Sequence, residues 1–328
     1  MRKIYIVTGG SGFLGSHVVK QLEGNGESVV ALVRSQKKAG KALSGDKAKL
    51  VYGSVLEIRD LEKLFGFYKD VQYVFIHTAS IVALGGTRKE IKKMYETNIN
   101  GVKNVIEVCK KHNARLLYVS SVHAIPEQPK RGLITEIEHF DAKKVIGDYA
   151  KSKAEASRLV MEAVKNGLDA VLVHPSAIIG PGDFSGTHMT QMAEDYRNGR
   201  IPAAVKGGYD FVDVRDVTAG IIAACEKGKS GECFLLTNKY YSVKEMFSIL
   251  NGLGVGKKVR LTLPMWMAKM SLPILYLYFK IRGKRPLYNT YSLYTLKSNS
   301  NFSHDRASKE LGYKPRGLDK SLKDMLNG

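Results

Sequence analysis

Short apolar runs alternate with helical patterns along the first half of the chain. The apolar runs lie at 3–8, 28–34, 48–52, 72–78, 115–120 and 169–174, and the helical patterns between them lie at 12–24, 56–68, 89–112 and 146–166. Such alternation is typical of parallel strands joined by helices, so it predicts an α/β fold with a doubly wound parallel sheet. The second and fourth runs are apolar on both faces, as buried parallel strands require.

Beyond about residue 176 the pattern loosens. Segment 188–206 predicts a helix and a short linker, and the chain then returns to a strand, a helix and a strand. The last part predicts shorter helices interrupted by glycines and prolines. We therefore expect a main domain and a smaller lobe, with the main domain at 1–175 and about 208–240, and the lobe at 176–207 and 241–328.

A glycine-rich turn follows the first predicted strand. It reads Thr8-Gly9-Gly10-Ser11-Gly12-Phe13-Leu14-Gly15 and leads into a helical pattern. Glycines allow a tight turn and a close approach of the backbone to a pyrophosphate. The N-terminus of the helix offers unpaired N–H groups and the positive end of its dipole to that anion. We interpret the turn as a dinucleotide site, with an ordinary strand-to-helix turn as the alternative.

Tyr149 and Lys153 lie four residues apart in the last helical pattern of this half, so both fall on one face of a helix. A free tyrosine titrates near ~10, and a nearby cation lowers that pKa. The pair is therefore a candidate acid/base unit. The spacing alone is frequent by chance, and it gains weight from the glycine-rich turn.

Together these residues resemble the extended short-chain dehydrogenase/reductases of the NAD-dependent epimerase/dehydratase superfamily. The resemblance rests on the glycine motif and also on Ser120-Ser121, Tyr149, Lys153, Asn98 and the stretches 75–80, 97–101, 174–182 and 211–217. It covers nearly the whole chain, and it is nearest to dihydroflavonol-reductase-like and 3β-hydroxysteroid-dehydrogenase-like enzymes. It implies a Rossmann-type cofactor domain and a C-terminal substrate-binding lobe.

The resemblance also implies catalytic roles. Tyr149 would be the acid in reduction and the base in oxidation, and Lys153 would lower its pKa and hold the nicotinamide ribose. Ser121, the later serine of the pair, would hydrogen-bond the carbonyl oxygen. Asn98 would carry a proton relay through a bound water, with a structural role equally open. His123 could touch the substrate, although a surface position is the simpler interpretation.

The residues that follow the second predicted strand indicate whether the chain binds NAD or NADP. A carboxylate at that point suits the ribose hydroxyl of NAD, whereas this chain has Arg34, followed by Lys37 and Lys38. A guanidinium suits bidentate contact with a 2′-phosphate. We therefore predict NADP(H) rather than NAD(H). The alternative is that Arg34 stacks on adenine or faces solvent.

The remaining cofactor contacts follow from the resemblance. Ser54 stands where an aspartate near the adenine is often found, so Ser54 or the backbone would have to replace it. The implied cofactor-binding residues are Gly9, Ser11, Gly12, Phe13, Leu14, Gly15, Arg34, Ser54, Val55, Thr78, Ala79, Ser80, Tyr149, Lys153, Pro175, Ser176 and Ile178.

The composition is ordinary for a globular protein except for its charge. Fifty-one basic residues against 31 acidic ones give a formal net charge of +20. A basic surface attracts anionic partners, but the lysines are spread out and no nucleic-acid-binding signature occurs, so we expect no nucleic-acid role. Three cysteines without metal spacing, no apolar run that could span a bilayer and no room for a signal peptide predict a cytoplasmic protein without a metal site.

Residues 264–281 are strongly apolar and contain Trp266, the only tryptophan of the chain. A proline and a lysine inside the stretch argue against a spanning helix, and three cations follow it closely. Three interpretations stay open. The stretch packs as core, walls an apolar substrate pocket, or makes weak contact with a membrane surface through 264–285.

The expected function is hydride transfer between NADP and a carbonyl or secondary alcohol of an apolar or aromatic molecule. Candidate substrates are an aldehyde, a flavonoid-like ketone or a 3-hydroxysteroid. The alternative is an NAD-dependent nucleotide-sugar epimerase or dehydratase, against which Arg34 and the apolar C-terminal part weigh. A homodimer is allowed, and the sequence identifies neither the substrate nor the direction of the reaction.

Overall fold

The computed structural model describes residues 2–83, 85–184, 186–281 and 289–327. The strands are β1 Arg2–Thr8, β2 Ser28–Val33, β3 Lys49–Tyr52, β4 Val71–His77, β5 Arg115–Val119, β6 Ala170–Pro175, β7 Ala177–Ile179, β8 Ala203–Val205, β9 Gly208–Asp213, β10 Cys233–Leu236, β11 Lys239–Ser242 and β12 Leu261–Leu263. The α-helices are α1 Phe13–Gly24, α2 Gln36–Ala42, α3 Ile58–Glu62, α4 Arg88–Tyr95, α5 Gly101–Lys111, α6 Asp148–Lys165, α7 His188–Arg197, α8 Val214–Lys227, α9 Val243–Gly252, α10 Met265–Ile281, α11 Thr290–Lys297 and α12 Leu318–Asn327.

A seven-stranded sheet in the order β10-β6-β5-β4-β1-β2-β3 forms the centre of the fold. All neighbouring strands in it are parallel. The chain moves outward from β1 in both directions, so the order reverses between β1 and β4. Ligands of such sheets bind at the carboxyl ends of the strands beside this reversal. The prediction of an α/β doubly wound parallel sheet is confirmed.

The sheet is buried on both faces because helices cover each side. Along β1, Ile4 and Ile6 belong to one apolar cluster, which includes side chains of α3, α5 and α6. Tyr5 and Val7 point the other way, into a cluster with α1, α2 and α8. This three-layer packing explains why the strands read as continuous apolar runs rather than as alternating ones.

Two small sheets lie beside the main one. β9 pairs antiparallel with β11 and parallel with β7, and β12 pairs parallel with β8. Within 208–240, β10 pairs with β6 in the main sheet, whereas β9 belongs to a small sheet. The division of the chain into two domains stays a prediction.

Two of the predicted helices differ in detail. In place of a helix over 56–68, the structure has only Ile58–Glu62. Leu64 and Phe65 are buried and bond to carbonyls three residues earlier, and Gly66 follows, so the chain tightens and leaves the helix. The helical stretch over 89–112 is interrupted by a π-helical turn at Glu96–Asn100.

The apolar stretch around Trp266 forms most of α10. Ala268 is buried, and Met265 and Leu272 pack with it, whereas the side chain of Trp266 is 66% exposed. The interpretation of the stretch as core therefore holds for one face of the helix and is wrong for Trp266. Of the helices that the structure describes, none is both long enough and apolar enough to cross a membrane.

Candidate active site

The glycine turn between β1 and α1 is packed so closely that side chains would not fit. A Cβ on Gly15 would lie 2.2 Å from the carbonyl oxygen of Gly9, and a Cβ on Gly9 would lie 2.9 Å from the backbone of Ala79. Gly9 also has a φ of +71°, which L side chains rarely adopt. The turn therefore holds the end of β1, the start of α1 and the chain after β4 within contact distance.

The first turn of α1 is open to an anion. Gly12 stands at the N-cap, no side chain caps the helix there, and its first turn contains no acidic residue. The backbone N–H groups at the start of the helix, among them those of Phe13 and Leu14, have no intrahelical acceptor. Open N–H groups, a positive dipole end and a bare glycine backbone fit the pyrophosphate of a nicotinamide dinucleotide.

Thr78 connects the two strands that flank the reversal of strand order. Its hydroxyl donates to the carbonyl of Thr8 at 2.7 Å. The Thr78 hydroxyl oxygen also occupies the space that side chains on Gly9 and Gly15 would need. The Thr8 hydroxyl is 2.7 Å from Nδ1 of His77. The carboxyl ends of β1 and β4 are therefore fixed to each other beneath the glycine turn.

Arg34 follows the end of β2 and is exposed. Of the residues that the structure describes, no carboxylate forms an ion pair with it. The next residue, Ser35, caps α2 by accepting a hydrogen bond from the Lys38 N–H at 3.4 Å. The guanidinium thus stands free at the strand end where the sequence predicts the adenosine ribose.

Ser54, which follows β3, is hydrogen-bonded to a carboxylate from α3. Its backbone N–H donates to the carboxylate of Asp60 at 3.0 Å, and Gly53 lies directly against that carboxylate. The sequence analysis missed Asp60, because the residue lies on α3 and reaches this point only through the fold. The predicted role of Ser54 and Val55 at the adenine stays a prediction, with the Ser54 N–H already engaged.

The catalytic candidates Ser121, Tyr149 and Lys153 converge at the carboxyl ends of β5 and β6. All three are buried, with 6%, 7% and 3% of the residue exposed. The neighbouring hydroxyl of Ser120 is 2.7 Å from that of Ser157, so it is engaged with α6. This arrangement leaves Ser121 as the serine beside the tyrosine.

The electrostatics of the pair differ from the expectation. Burial raises the pKa of Tyr149 to about 12, although the adjacent Ser121 hydroxyl acts in the opposite direction. Burial also lowers the pKa of Lys153 to about 7. Its Nζ donates to the Val119 carbonyl at 2.9 Å and lies 5.2 Å from the ring centroid of Tyr118. Burial therefore has a larger effect on the Tyr149 pKa than the cation on the same helix, and the role of the pair stays a prediction.

Asn98 lies within the π-helical turn and is 2% exposed. Its Oδ1 accepts from the Ser80 hydroxyl at 3.1 Å and from the Ile81 N–H at 2.8 Å. Its Nδ2 donates to the Ile81 carbonyl and to the Ser152 hydroxyl. The Asn98 side chain therefore connects the segment after β4 to α6 by hydrogen bonds. This favours the structural role of Asn98 over the proton relay.

The stretch after β6 contains Pro175, Ser176 and Ile178, for which nicotinamide contacts are predicted. The Ser176 hydroxyl donates to the carboxylate of Asp210 on β9. Burial raises the pKa of Asp210 to about 6, and its hydrogen bonds from Ser176 and the Asn238 backbone act against that shift. This contact fixes the stretch to the small sheet, and its role toward a cofactor stays a prediction.

His123 is half-buried and packs among aromatic side chains, so the simpler interpretation as a surface residue does not describe it fully. Its Nε2 lies 3.2 Å from the hydroxyl of Tyr209, and its Nδ1 lies 3.2 Å from the hydroxyl of Tyr291. Its ring meets that of Tyr149 edge-on, with centroids 5.8 Å apart. Burial lowers its pKa to about 4, so the imidazole is neutral. The two tyrosines come from β9 and α11, so no local sequence signal could have identified them.

A cavity of about 350 Å³ opens beside this group. Aromatic and aliphatic side chains form most of its wall, and His123, which also lines it, connects it to Tyr149. Its lining is Val122, His123, Ile125, Glu127, Ile134, Lys144, Val145, Ile146, Ala150, Tyr209, Tyr291, Tyr294, Ser298, Asn299 and Phe302. A second cavity of about 240 Å³ shares Tyr291 and borders Gly147, where α6 begins. Such space suits a small apolar molecule.

The buried histidines predict an acid-sensitive fold. Burial lowers the pKa of His77 and His174 to about 3, with Lys153 adding to both shifts. Below about pH 6.5 the histidines of the unfolded chain bind protons, whereas those of the folded protein do not. The free energy of unfolding is therefore highest above that pH, as far as these histidines determine it, and it decreases as the pH falls toward 3. We expect the melting temperature to fall across this window, and less steeply for His174→Leu. Equal slopes in the two proteins would contradict this assignment.

Comparisons with known proteins agree with this geometry. A family model described as the NAD dependent epimerase/dehydratase family matches residues 5–237. A Methylococcus capsulatus protein named Sterol demethylase protein B is 29% identical, over 98% of this chain and 96% of its own length. A Synechocystis protein, provisionally named as a dihydroflavonol 4-reductase, is also 29% identical, over 100% of this chain and 94% of its own.

Among solved structures, the crystal structure of gox2253 superposes with a TM-score of 0.82 at 27% identity. The superposition covers 99% of this chain and 97% of that one. A human protein named 3 beta-hydroxysteroid dehydrogenase type 7 is 29% identical, over 95% of this chain and 91% of its own length. The predicted likeness to dihydroflavonol-reductase-like and 3β-hydroxysteroid-dehydrogenase-like enzymes is confirmed. This protein therefore belongs to the NAD-dependent epimerase/dehydratase family, within the extended short-chain dehydrogenase/reductases.

Proposed function

We propose that the protein is an NADP-dependent oxidoreductase that interconverts a carbonyl and a secondary alcohol on an apolar or aromatic small molecule. The observation that carries this proposal is a cavity walled mainly by aromatic and aliphatic side chains, one of which, His123, meets the ring of Tyr149. A sterol and a dihydroflavonol in the relatives' names support a substrate with fused or linked rings.

The chain's own residues would do the following work. The Ser121 hydroxyl donates a hydrogen bond to the substrate oxygen and so stabilises the negative charge that develops there. Tyr149, protonated at neutral pH, gives its proton to that oxygen in reduction and receives it back in oxidation. A bound nicotinamide supplies or accepts the hydride. Lys153 then offsets the charge of the phenolate that remains.

Tyr209 and Tyr291 would give the site its shape. Both are joined to His123, which follows Ser121 by two residues and meets the ring of Tyr149. The neutral imidazole donates to one hydroxyl and accepts from the other. The three side chains thus form one fixed side of the cavity next to Tyr149, against which a ring system would be oriented.

The choice of NADP rests on Arg34. The guanidinium is exposed at the end of β2, and Lys37 and Lys38 on α2 are exposed close behind it in the chain. The sequence from Val33 to Gly45 contains no Asp or Glu to hold a ribose hydroxyl pair, and a 2′-phosphate matches the guanidinium.

Arg34→Asp is expected to change the cofactor preference. Loss of one charge-assisted contact with the 2′-phosphate is worth roughly 1.5–3 kcal/mol, so kcat/KM with NADPH should fall at least about tenfold relative to NADH. Lys41→Asp makes the same change of charge at an exposed position of α2 and serves as the control. If both variants shift the ratio equally, a general field and not a contact is responsible.

Turnover assays would test the reaction itself. The purified protein is incubated with NADPH and an aldehyde, a flavonoid-like ketone or a 3-ketosteroid, and with NADP and the matching alcohols. Stoichiometric oxidation of NADPH by a member of this panel supports the proposal. Inversion of a nucleotide sugar without net consumption of cofactor, and no reaction with the panel, would instead assign the chain to the epimerases.

A further inference from the structure

Helix α10 has two apolar faces, and among the residues that the structure describes only one of these faces is packed against other side chains. Met265, Ala268 and Leu272 are turned inward, where they pack with Val205 and with Leu293 of α11. These positions recur at three and four residues, as expected for the buried face of a surface helix. The inner face therefore accounts for how α10 is attached to the protein.

The outer face of α10 consists of Trp266, Met267, Met270 and Ile281. Their exposed fractions are 66%, 40%, 72% and 78%. At 100° per residue the four side chains fall on the side opposite to the inner face. Trp266, Met267 and Met270 lie within five residues of one another, and an exposed apolar cluster of this kind in water marks a binding site for something apolar.

The charge around this face identifies the partner. From residue 246 to residue 304 the chain contains no Asp or Glu, whereas it contains nine Lys or Arg. Lys269 on α10 is exposed, as are Lys257, Lys258 and Arg260 just before β12. A second copy of this chain would bring like charges together, so the surface is unsuited to self-association. An anionic partner with an apolar interior matches both features.

We propose that the outer face of α10 binds the surface of a bilayer containing anionic phospholipid. Trp266 and Met270 would enter the boundary between headgroups and acyl chains, and the neighbouring cations would meet the lipid phosphates. Tryptophan is favoured at this depth because its ring is apolar and its N–H is polar. The helix lies on the membrane rather than across it. The inference is independent of the proposed enzymatic function.

The only tryptophan of the chain reports directly on this contact. We expect its fluorescence emission to shift to shorter wavelength when vesicles of phosphatidylcholine and phosphatidylserine are added to the full-length protein. Vesicles of phosphatidylcholine alone should give a much smaller shift. Salt at about 1 M shortens the Debye length to about 3 Å, so it should weaken binding to the anionic vesicles.

Two variants separate the face from the rest of the surface. Met270→Glu places a carboxylate on the outer face, keeps Trp266 as reporter and should weaken vesicle binding at least about tenfold. Leu133→Glu makes the same change at a position that is 52% exposed and outside this region, and it should leave binding unchanged. Co-sedimentation and melting temperature are measured for both.

Three results would overturn the proposal. One is the absence of an emission shift with the anionic vesicles. Another is a shift that appears without vesicles as the protein concentration rises, because this would identify a second copy as the partner. The third is an equal loss of binding in Leu133→Glu and Met270→Glu, which would show that net charge alone is responsible.

Discussion

Tyr149→Phe is expected to reduce turnover by about 10²–10⁴-fold and to leave binding of the nicotinamide cofactor nearly unchanged. The substitution removes one hydroxyl, and the ring keeps its edge-on contact with His123. In the proposed mechanism the lost group is the proton donor, because the phenol is protonated at neutral pH. Steady-state kinetics with the best carbonyl substrate and a fluorescence titration with NADPH measure the two effects separately.

Tyr313→Phe is the matched control for this experiment. Tyr313 is 5% exposed, and no described residue accepts or donates a hydrogen bond at its hydroxyl. Removing that hydroxyl should keep turnover and should not lower the melting temperature, since no hydrogen bond is broken. Normal activity in Tyr149→Phe, or an equal loss in both variants, would remove Tyr149 from the proposed role of proton donor.

Hydrophobic patterning was sufficient for the main sheet. Six of its seven strands are buried on both faces, so each appears in the sequence as an uninterrupted apolar run. The predicted bounds of β1, β2 and β4 agree with the observed ones to within one residue. β9 was harder, since its apolar character is the same whether it joins the main sheet or pairs with β7 and β11.

The site was predictable as a set of residues but not as an electrostatic arrangement. A spacing of four residues puts Tyr149 and Lys153 on one helix face, yet their pKa values depend on burial and on partners elsewhere. The Nζ of Lys153 donates a hydrogen bond to the carbonyl of Val119 on β5. Such contacts join distant parts of the chain, so spacing does not reveal them.

The residues that surround the site could not be predicted from the sequence, for the same reason. Tyr209 and Tyr291 approach His123 from 86 and 168 residues away in sequence. Asp60 reaches the end of β3 only because α3 folds back over Gly53. On α10, both faces are apolar, so the pattern could not show that Trp266 lies on the exposed face.

Lys153→Met is expected to abolish turnover and, at the same time, to raise the melting temperature near neutral pH. Lys153 is 3% exposed, and of the described residues none provides it with a carboxylate. Burial lowers its pKa from 10.5 to about 7, so the unfolded chain holds a proton that the fold binds weakly. Methionine has a similar length and carries no charge, so it removes this penalty.

The pH dependence gives this prediction its sharpest test. Below about pH 7 the wild-type fold carries the full cost of a buried ammonium, and that cost disappears as the pH rises toward 10.5. The stabilisation by Lys153→Met should therefore be largest below about pH 7 and should fade at alkaline pH. Lys151→Met, an exposed position of the same helix, should change neither turnover nor stability. Thermal melts from acidic to alkaline pH and turnover assays on the three proteins measure this. A Lys153→Met protein that melts below the wild type at pH 6 would show that a favourable contact holds the lysine. A variant that keeps its turnover would show that the lysine has no catalytic role.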